Sequence, residues 1–414
     1  MTLTNPQGGD VPKYGPISVL AAAFAAQWIT GFGFITLSLL APLLAAETGL
    51  NDRDFGLGLT FFFIGTALSS PLSGTLVRMV GSAATLAAAM AFMATVYLVC
   101  LAGSWWAMMV ASFAFGLGYG PQGPVGMTMV TQATPIARRG FFLALRQSAQ
   151  PFAAAVAGRV LPPFMLMAGW QAGVISTAVL LAMGAVAVFM ARPLFQIQRE
   201  PHELRPAGRI GLADIARTAM EYLHVPSQLR LLWGVGILFA ISQMAIIIFS
   251  YLYLLEVVGL SAIAAGIFVS NQQIAGLTGR PLFGWICDVT GQPMHVLAAI
   301  CVVTIASIIA LLHISSATPY WQLTLLAMLT GIAGQAWNAV FTTAMSFRVA
   351  PNRLAEMNGR AFSVLSLGWM AAPSLFWVLI ELTGGYLLPF VLIALGNAIA
   401  VVALLFFGSA YDRL

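Results

Sequence analysis

Charged side chains are scarce in this sequence: of 414 residues only 7% are Asp, Glu, Lys or Arg, whereas 60% are hydrophobic. Soluble domains carry about 25% charged residues, so this composition excludes an ordinary water-soluble fold. The mean hydropathy of +0.92 agrees with that exclusion. The sequence therefore predicts an integral membrane protein that has the lipid bilayer as its solvent.

Lysine is almost absent as well, because Lys13 is the only one in the chain. A nucleotide-binding P-loop needs a lysine in the pattern GxxxxGK[ST], so ATP does not drive this protein through a Walker site of its own, and no cofactor is predicted. Cys100, Cys287 and Cys301 show no CxxC spacing, and the four histidines form no ligand pattern. Neither a metal site nor a disulfide framework is expected.

Long apolar stretches fill most of the chain, and each has the roughly 20 residues that a helix needs to cross a bilayer. They do not alternate with the short period of β-barrel strands, so we expect helices. Twelve stretches qualify, near residues 17–43, 55–78, 82–103, 105–133, 140–168, 171–193, 230–256, 261–286, 293–314, 320–347, 358–382 and 386–408. The predicted fold is an all-α membrane protein with twelve transmembrane helices.

A polar stretch separates the first six apolar stretches from the last six. We predict five regions: a cytoplasmic segment at 1–16, a six-helix bundle at 17–193, a cytoplasmic linker at 194–229, a second bundle at 230–408 and a cytoplasmic tail at 409–414. In this arrangement 14 of the 18 basic residues lie in or beside cytoplasmic segments. This is the positive-inside rule, so the net charge of +5 reports orientation and requires no nucleic acid. We expect a bacterial inner membrane with both termini cytoplasmic.

The stretch SPLSGTLVRMVG at 70–81 repeats as RPLFGWICDVTG at 280–291. A shift of 210 residues aligns Pro71 with Pro281, Leu72 with Leu282, Gly74 with Gly284, and Gly81 with Gly291. Both copies end the second span of their half. Equal placement in two six-helix halves indicates an internal duplication, as in many transporters.

Four sequence phrases carry a family resemblance: Gly284, Asp288 and Gly291 in the repeated turn, GLGYGPQGP in span four, RRGFFLALRQSAQPFAAAVAG opening span five, and GW at 169–170. With them the whole chain resembles the major facilitator superfamily. The resemblance implies two pseudo-symmetric six-helix bundles around a cavity that opens to each side in turn. Spans 1, 4, 7 and 10 would line the cavity, with 2, 5, 8 and 11 beside it. Most amide side chains of the spans, among them Gln27, Gln147 and Gln335, fall in these two groups, whereas Asn397 in span 12 does not.

Arg280 is the first candidate for binding a substrate. Gln273, Gly276 and Arg280 share one helix face, and a guanidinium can hold a carboxylate with two parallel hydrogen bonds. The phrase RPLFG also resembles the eighth span of monocarboxylate transporters, which implies that Arg280 binds the substrate anion. That family has an acidic residue where this chain has Gly276, and a lysine in its first span, which is missing here. The alternative is that Arg280 reaches the inner membrane surface or braces the adjacent loop.

Arg146 in span five reaches a similar depth from the other half of the chain. Two arginines converging from the two bundles would trap an anion at their interface, whereas the alternative for Arg146 is a gate near the cytoplasmic mouth. Neutral side chains complete the predicted site, although each is equally compatible with a helix-to-helix hydrogen bond. They are Tyr119, Gln122, Gln150, Gln243, Gln273, Gln335 and Asn338.

The repeated turns predict a second group of residues, which act as latches. Arg78 takes the place of the aspartate in the first turn, whereas the second turn keeps Asp288. The family's pseudo-symmetry implies that these turns face the starts of spans 11 and 5. We predict latches that close in the outward-open state, with Arg78 on Glu356 and Asp288 on Arg138 or Arg139. Exposed ion pairs contribute only about 0 to 1 kcal/mol each, which suits reversible opening.

These features predict a monomeric secondary active transporter that moves a small organic anion, specifically a carboxylate, by alternating access. No Asp or Glu lies mid-span, so a co-transported proton would need the substrate's own carboxylate, Glu256 or Glu381, and exchange or facilitated diffusion stay open. The alternative is an exporter or importer of a larger amphipathic compound, such as a drug or siderophore. An enzyme is not expected, because the spans show neither a nucleophile beside a base nor paired carboxylates.

Overall fold

The computed structural model describes residues 15–48, 55–195, 227–350 and 353–408. These ranges are built from helices and their short connections, and they contain no strand. The predicted terminal segments 1–16 and 409–414 and the linker 194–229 lie wholly or mostly outside the described residues.

The first bundle has six helices, several of them in two segments. They are α1 (Pro16–Thr48), α2 (Phe55–Ser69, a 3₁₀ turn Ser70–Leu72, then Ser73–Val80), α3 (Ser82–Tyr97, then Leu98–Ala102), α4 (Trp105–Tyr119 and Gln122–Ala133), α5 (Arg139–Gln147 and Ala149–Ala168) and α6 (Trp170–Met190). Short 3₁₀ turns lie at Ile136–Arg138 and Arg192–Phe195.

The second bundle repeats this plan. Its helices are α7 (Ser227–Glu256), α8 (Ala262–Thr290), α9 (Pro293–Leu312), α10 (Tyr320–Gln335 and Trp337–Arg348), α11 (Leu354–Thr383) and α12 (Leu387–Gly408). The bounds of the twelve helices agree with those of the twelve apolar stretches to within a few residues at most ends. A long apolar stretch in a bilayer finds no water to bond, so it forms a helix in which its backbone N–H and C=O groups bond to each other.

Length and composition alone identify nine stretches of the described chain that can cross a membrane. The other three helices, α4, α5 and α8, have spanning length but contain more polar and helix-breaking residues, among them Gln122, Arg146 and Arg280. Such residues are costly against lipid and are found where a helix faces the protein interior. The three least apolar helices are therefore the ones to inspect for a site.

The duplication is visible in the backbone as well as in the sequence. Gly81 and Gly291 end the two copies of the turn with positive φ angles of 85° and 63°, a conformation that favours glycine because a Cβ would clash there. Helices α4 and α10 are each interrupted near their middle, after Tyr119 and after Gln335. The matched glycines therefore mark matched turns.

Each bundle is packed around close contacts at glycine. A side chain at Gly116 of α4 would collide with the Phe62 carbonyl of α2, and one at Gly331 of α10 would collide with the Gln272 carbonyl of α8. The Gln272 side chain also donates to Thr330 Oγ1 at 2.9 Å. Helices 2 and 4 of one half, and 8 and 10 of the other, are thus held backbone against backbone.

Asn397 of α12, the amide that departs from the predicted layout, does not face lipid. Its side chain is fully buried and donates to Ser242 Oγ of α7 at 3.1 Å. This amide joins two helices of the second bundle, and the exception is a packing contact.

Candidate functional site

The two bundles touch along a seam between α2 and α11 and between α8 and α5. The end of this seam where α2 and α8 finish and α5 and α11 begin is here called the latch end. Gly140 of α5 faces Gly284 of α8 so closely that a Cβ on either would meet the other's backbone. On the opposite side of the seam, a Cβ on Gly74 of α2 would lie 2.8 Å from the Glu356 Cβ of α11. The glycines of both repeated turns therefore allow helices of different bundles to approach.

The predicted contact between Arg78 and Glu356 is present. Arg78 Nη1 lies 3.8 Å from Glu356 Oε2, while Glu356 Oε1 also lies 2.9 Å from Arg360 Nη2 and 3.8 Å from Arg353 Nη2. Glu356 is therefore the centre of a cluster of three guanidinium groups and not half of an isolated pair.

Asp288 also meets the start of α5, but through different atoms from those predicted. Its Oδ1 accepts from the Gly140 backbone N–H at 2.7 Å and its Oδ2 from the Phe141 N–H at 2.8 Å. No ion pair joins it to Arg138 or Arg139 in the described chain, and Arg139 Nε donates to the Thr134 carbonyl instead. The first N–H groups of a helix have no partner within it and carry its positive dipole end. Asp288 therefore caps a helix of the other bundle.

Arg146 lies deep in the first bundle, with only 2% of its surface exposed. Its Nη2 donates to Gln27 Oε1 of α1 at 2.8 Å and to the Gln122 carbonyl of α4 at 3.0 Å. Gln27 Nε2 in turn donates to the Tyr119 hydroxyl at 3.3 Å. Arg146 Nε is buried without a hydrogen-bond partner among the described residues. Glycine at position 126 makes room for this guanidinium, because a Cβ there would collide with it.

Arg280 lies in the second bundle and is 6% exposed. Its Nη2 donates to Gln335 Oε1 at 3.2 Å and its Nε to the Gln335 carbonyl at 3.3 Å. Gln335 Nε2 continues the chain to Gln273 Oε1 at 2.7 Å. Gly276 does leave room as predicted, but Gln335 fills it, since a Cβ at Gly276 would meet the Gln335 amide.

Gln147 joins the two groups of polar residues. Its carbonyl accepts from Arg280 Nη1 at 2.6 Å, and its side-chain Nε2 donates to Thr342 Oγ1 at 2.8 Å and to the Asn338 carbonyl at 3.2 Å. Because Gln147 follows Arg146 directly in the chain, Arg280 bonds to the same stretch of α5 that carries Arg146. The anion site formed by the two arginines stays a prediction.

Neither guanidinium has a carboxylate partner within ion-pairing distance among the described residues. A buried charge is expensive unless it is paired. Backbone and amide oxygens solvate Arg146 and Arg280 but do not neutralise them. Two positive charges without a carboxylate partner in the described chain therefore lie near one stretch of α5, with Arg146 inside the first bundle and Arg280 bonded across the seam.

The remaining predicted side chains fall into separate groups. Gln243 Oε1 accepts from Asn338 Nδ2 at 3.3 Å and from Trp369 Nε1 at 3.2 Å, which makes a polar group within the second bundle. Gln150 lies one turn beyond Arg146, against Gly31 of α1. The Gln122 side chain donates to the Leu86 carbonyl of α3, and it is the backbone carbonyl of Gln122 that contacts Arg146.

Two residues of the network were not among the predicted site residues, Gln27 and Gln147. Both were recognisable as amides on cavity-side helices, but no spacing rule singled them out. Several of the acceptors that hold the two arginines are backbone carbonyls. Every residue has a backbone carbonyl, so the residue type does not reveal these partners. No group of three or more His, Cys, Asp or Glu side chains that could hold a metal occurs within the described residues.

Comparison with known proteins decides the family. The model of the Major Facilitator Superfamily matches residues 23–346. The chain belongs to the major facilitator superfamily. It is therefore a membrane transporter and not an enzyme, and the predicted resemblance is confirmed.

Relatives and solved structures agree with this assignment. A probable sulfoacetate transporter of Cupriavidus necator is 25% identical over 373 residues, which cover 86% of each protein. An uncharacterized superfamily transporter of Mycobacterium tuberculosis is 27% identical over 375 residues, or 88% of this chain and 78% of that one.

Among solved structures, a human organic anion transporter has a TM-score of 0.76 at 14% identity, covering 95% of this chain and 100% of that one. The Escherichia coli fucose:proton symporter has a TM-score of 0.72 at 16% identity, covering 95% and 99%. At this level of identity the two structures support the twelve-helix fold alone.

Proposed function

We propose that this transporter carries a small organic anion, a carboxylate, by alternating access to a site between the two bundles. The observation that carries the proposal is the pair of buried guanidinium groups, Arg146 and Arg280, that have no carboxylate partner in the described chain. An anion that enters the seam supplies the missing negative charge, and guanidinium groups bind carboxylates with short, charge-assisted hydrogen bonds.

The two arginines play different parts in this proposal. Arg146 keeps a buried Nε without a partner among the described residues, so its Nε–H can donate to the anion while Nη2 keeps its bonds to Gln27 and to the Gln122 carbonyl. Arg280 has a bond on each of its three nitrogens. It meets the anion with its remaining N–H groups or by releasing the carbonyl of Gln147. In the second case, anion binding at Arg280 competes with a contact between the bundles.

The substrate named for one relative supports this substrate class, since that relative is a probable sulfoacetate transporter. A sulfonate offers the same kind of oxygens to a guanidinium as a carboxylate does. A monomer in a bacterial inner membrane, with both termini cytoplasmic, is part of the proposal, in agreement with the bacterial relatives and the basic residues near the latch end.

Proton co-transport also stays a proposal. Proton uptake at a protein group would have to occur away from the two arginines, because no carboxylate of the described chain pairs with them. The carboxylate of Glu256 at the end of α7 is one candidate, and its Oε2 accepts from the Tyr386 hydroxyl at 2.7 Å. The substrate's own carboxyl group is the other.

The test is ligand binding by purified protein, followed by uptake into proteoliposomes. We expect sulfoacetate and small carboxylates to raise the melting temperature, because a ligand of the folded state stabilises it, and we expect neutral fucose not to do so. Arg146→Gln and Arg280→Gln should each weaken anion binding by at least tenfold, which corresponds to about 1.4 kcal/mol. Arg159→Gln is the matched control, since Arg159 is an exposed arginine of the same helix α5.

Unchanged anion binding in both Arg146→Gln and Arg280→Gln would contradict the proposal. Stabilisation by larger amphipathic compounds that neither substitution affects would favour the alternative substrate class, the drugs and siderophores.

A further inference from the structure

The repeated turns carry a proline in each half, and these prolines affect the helices before them. Proline has no N–H, so in an α-helix the carbonyl four residues earlier loses its donor. Pro71 removes the donor from the Ala67 carbonyl of α2, and Pro281 removes it from the Leu277 carbonyl of α8. The two carbonyls are equivalent, since the shift of 210 residues that aligns the prolines also aligns Ala67 with Leu277.

Both carbonyls receive a new donor from the opposite bundle. Ser363 Oγ of α11 donates to the Ala67 carbonyl at 2.5 Å. Ser148 Oγ of α5 donates to the Leu277 carbonyl at 3.1 Å. Each bond crosses the seam between the bundles, one in each direction, and each ends on an acceptor that a proline has released.

A third bond across the seam follows the same rule. Pro151 of α5 removes the helical donor from the Gln147 carbonyl, which accepts from Arg280 Nη1 at 2.6 Å. Three acceptors of this kind on helices that line one seam indicate a shared cause. Ordinary helical carbonyls already have a donor within their helix, whereas these three have an open position for a partner in the other bundle.

We propose that Pro71 and Pro281 are conformational devices. They create acceptors on which Ser363 and Ser148 close the seam, and so they set the balance between a closed and an open latch end. The proposal rests on the alternating opening in the proposed function, but not on the identity of the substrate. Such bonds suit a reversible contact because water entering an opened seam can take the place of the serine.

Ser148 has a second acceptor, which makes its exchange easy. Its hydroxyl also lies 3.1 Å from the Ala144 carbonyl, one turn earlier in its own helix. A hydroxyl has a single proton to donate. Ser148 therefore donates across the seam when the bundles meet and can return to Ala144 when they separate, without being left unpaired.

The experiment measures the open and closed populations of the latch end by double electron–electron resonance. Spin labels at Val80→Cys in α2 and Val289→Cys in α8 report one position from each bundle, and both sites are exposed. The native Cys100, Cys287 and Cys301 are buried and stay unlabelled. The full-length protein is used without substrate, so the outcome does not depend on which anion is carried.

We expect Ser148→Ala and Ser363→Ala each to raise the open-to-closed ratio by roughly two- to tenfold, the usual range for one net hydrogen bond. Ser366→Ala is the matched control. Ser366 is a buried serine of α11, three residues from Ser363, which donates to the Phe362 carbonyl of its own helix. This variant should leave the ratio unchanged.

A double-mutant cycle separates this device from simple packing. Pro281→Ala returns a helical donor to the Leu277 carbonyl, so this carbonyl depends less on Ser148. In the Pro281→Ala background, Ser148→Ala should therefore change the logarithm of the open-to-closed ratio by less than half as much as it does in the parent protein. In the Pro71→Ala background, which concerns the other carbonyl, Ser148→Ala should keep its full effect.

An equal effect of Ser148→Ala in both proline backgrounds would overturn the proposal, as would unchanged ratios in both serine variants. If the distance between the two spin labels takes one value that is the same in the parent protein and in all variants, both this proposal and the alternating opening are overturned. Shifts as expected, combined with failure of every anion to bind, would leave the device standing and contradict only the proposed substrate class.

Discussion

The contact of Asp288 with the start of α5 leads to a prediction that separates two interpretations of this latch. In one, Asp288 caps the backbone N–H groups of α5; in the other, it forms an ion pair with Arg138 or Arg139. If the carboxylate acts by capping backbone N–H groups, Asp288→Asn should free one of the amides of Gly140 and Phe141 and weaken the bond to the other. The carboxylate of aspartate has two acceptor oxygens, whereas the amide of asparagine has one. One of the two bonds at 2.7 and 2.8 Å is therefore lost. The bond that remains is no longer assisted by charge.

The magnitude follows from these two changes. A hydrogen bond to a charged group contributes about 1.5 to 3 kcal/mol, and a charge at the helix N-terminus about 0.3 to 1 kcal/mol. Asp288 is only half-buried, so we take the lower ends of both ranges, about 2 kcal/mol in total. This corresponds to a roughly thirtyfold change in the equilibrium between capped and uncapped α5.

Amide hydrogen exchange at Gly140 and Phe141 measures this change directly. Exchange should accelerate by roughly thirtyfold in Asp288→Asn, after correction for intrinsic rates. Arg138→Ala and Arg139→Ala are the controls, and each should change exchange by less than about threefold, because exposed charges contribute little. If Arg139→Ala accelerates exchange as much as Asp288→Asn does, an ion pair closes the latch and the capping argument is refuted.

Two further predictions concern the anion site and the other latch. Gly126→Ala should weaken anion binding at least tenfold, because a Cβ there collides with the Arg146 guanidinium; Gly123→Ala, whose Cβ has only ordinary contacts of 3.5 Å or more, should bind normally in the same thermal-shift assay. Glu356→Gln should reduce proteoliposome uptake more than Arg78→Ala, because the carboxylate lies within 4 Å of three guanidinium groups and Arg78 supplies only one of them. If Glu356→Gln and Arg78→Ala reduce uptake equally, the pair of Arg78 and Glu356 accounts for the whole effect and the other two guanidinium groups do not contribute.

The fold was predictable to a large extent because membranes impose strict rules on a chain. Apolar length predicted the twelve helices, and the shift that aligns Pro71 with Pro281 predicted two equivalent halves. The contact of Arg78 with Glu356 followed from pseudo-symmetry and opposite charge. In each case the signal lay in the residue type, which the sequence displays.

The errors arose where one partner is a backbone atom. Asp288 was paired with arginines because charge is visible in a sequence, whereas the free N–H groups at the start of α5 are not. The Gln122 side chain was placed in the site from its helix alone, but helix periodicity does not determine which neighbour a side chain reaches. A proline is visible in the sequence and indicates that the carbonyl four residues before it lacks its helical donor. Pro71, Pro151 and Pro281 indicate in this way the free carbonyls of Ala67, Gln147 and Leu277.

The glycine contacts between α2 and α4 and between α8 and α10 have a mechanical consequence. Helices held backbone to backbone resist sliding past each other, so in the proposed alternating access each bundle would turn as a lever. Helix α8 has 29 residues, which at about 1.5 Å per residue makes an arm of about 44 Å. A rotation of about 10° displaces the far end of such an arm by about 8 Å relative to the near end. Bonds that single serines make or break across the seam would thus be amplified into a movement wide enough to admit a small molecule at the end opposite the latch end.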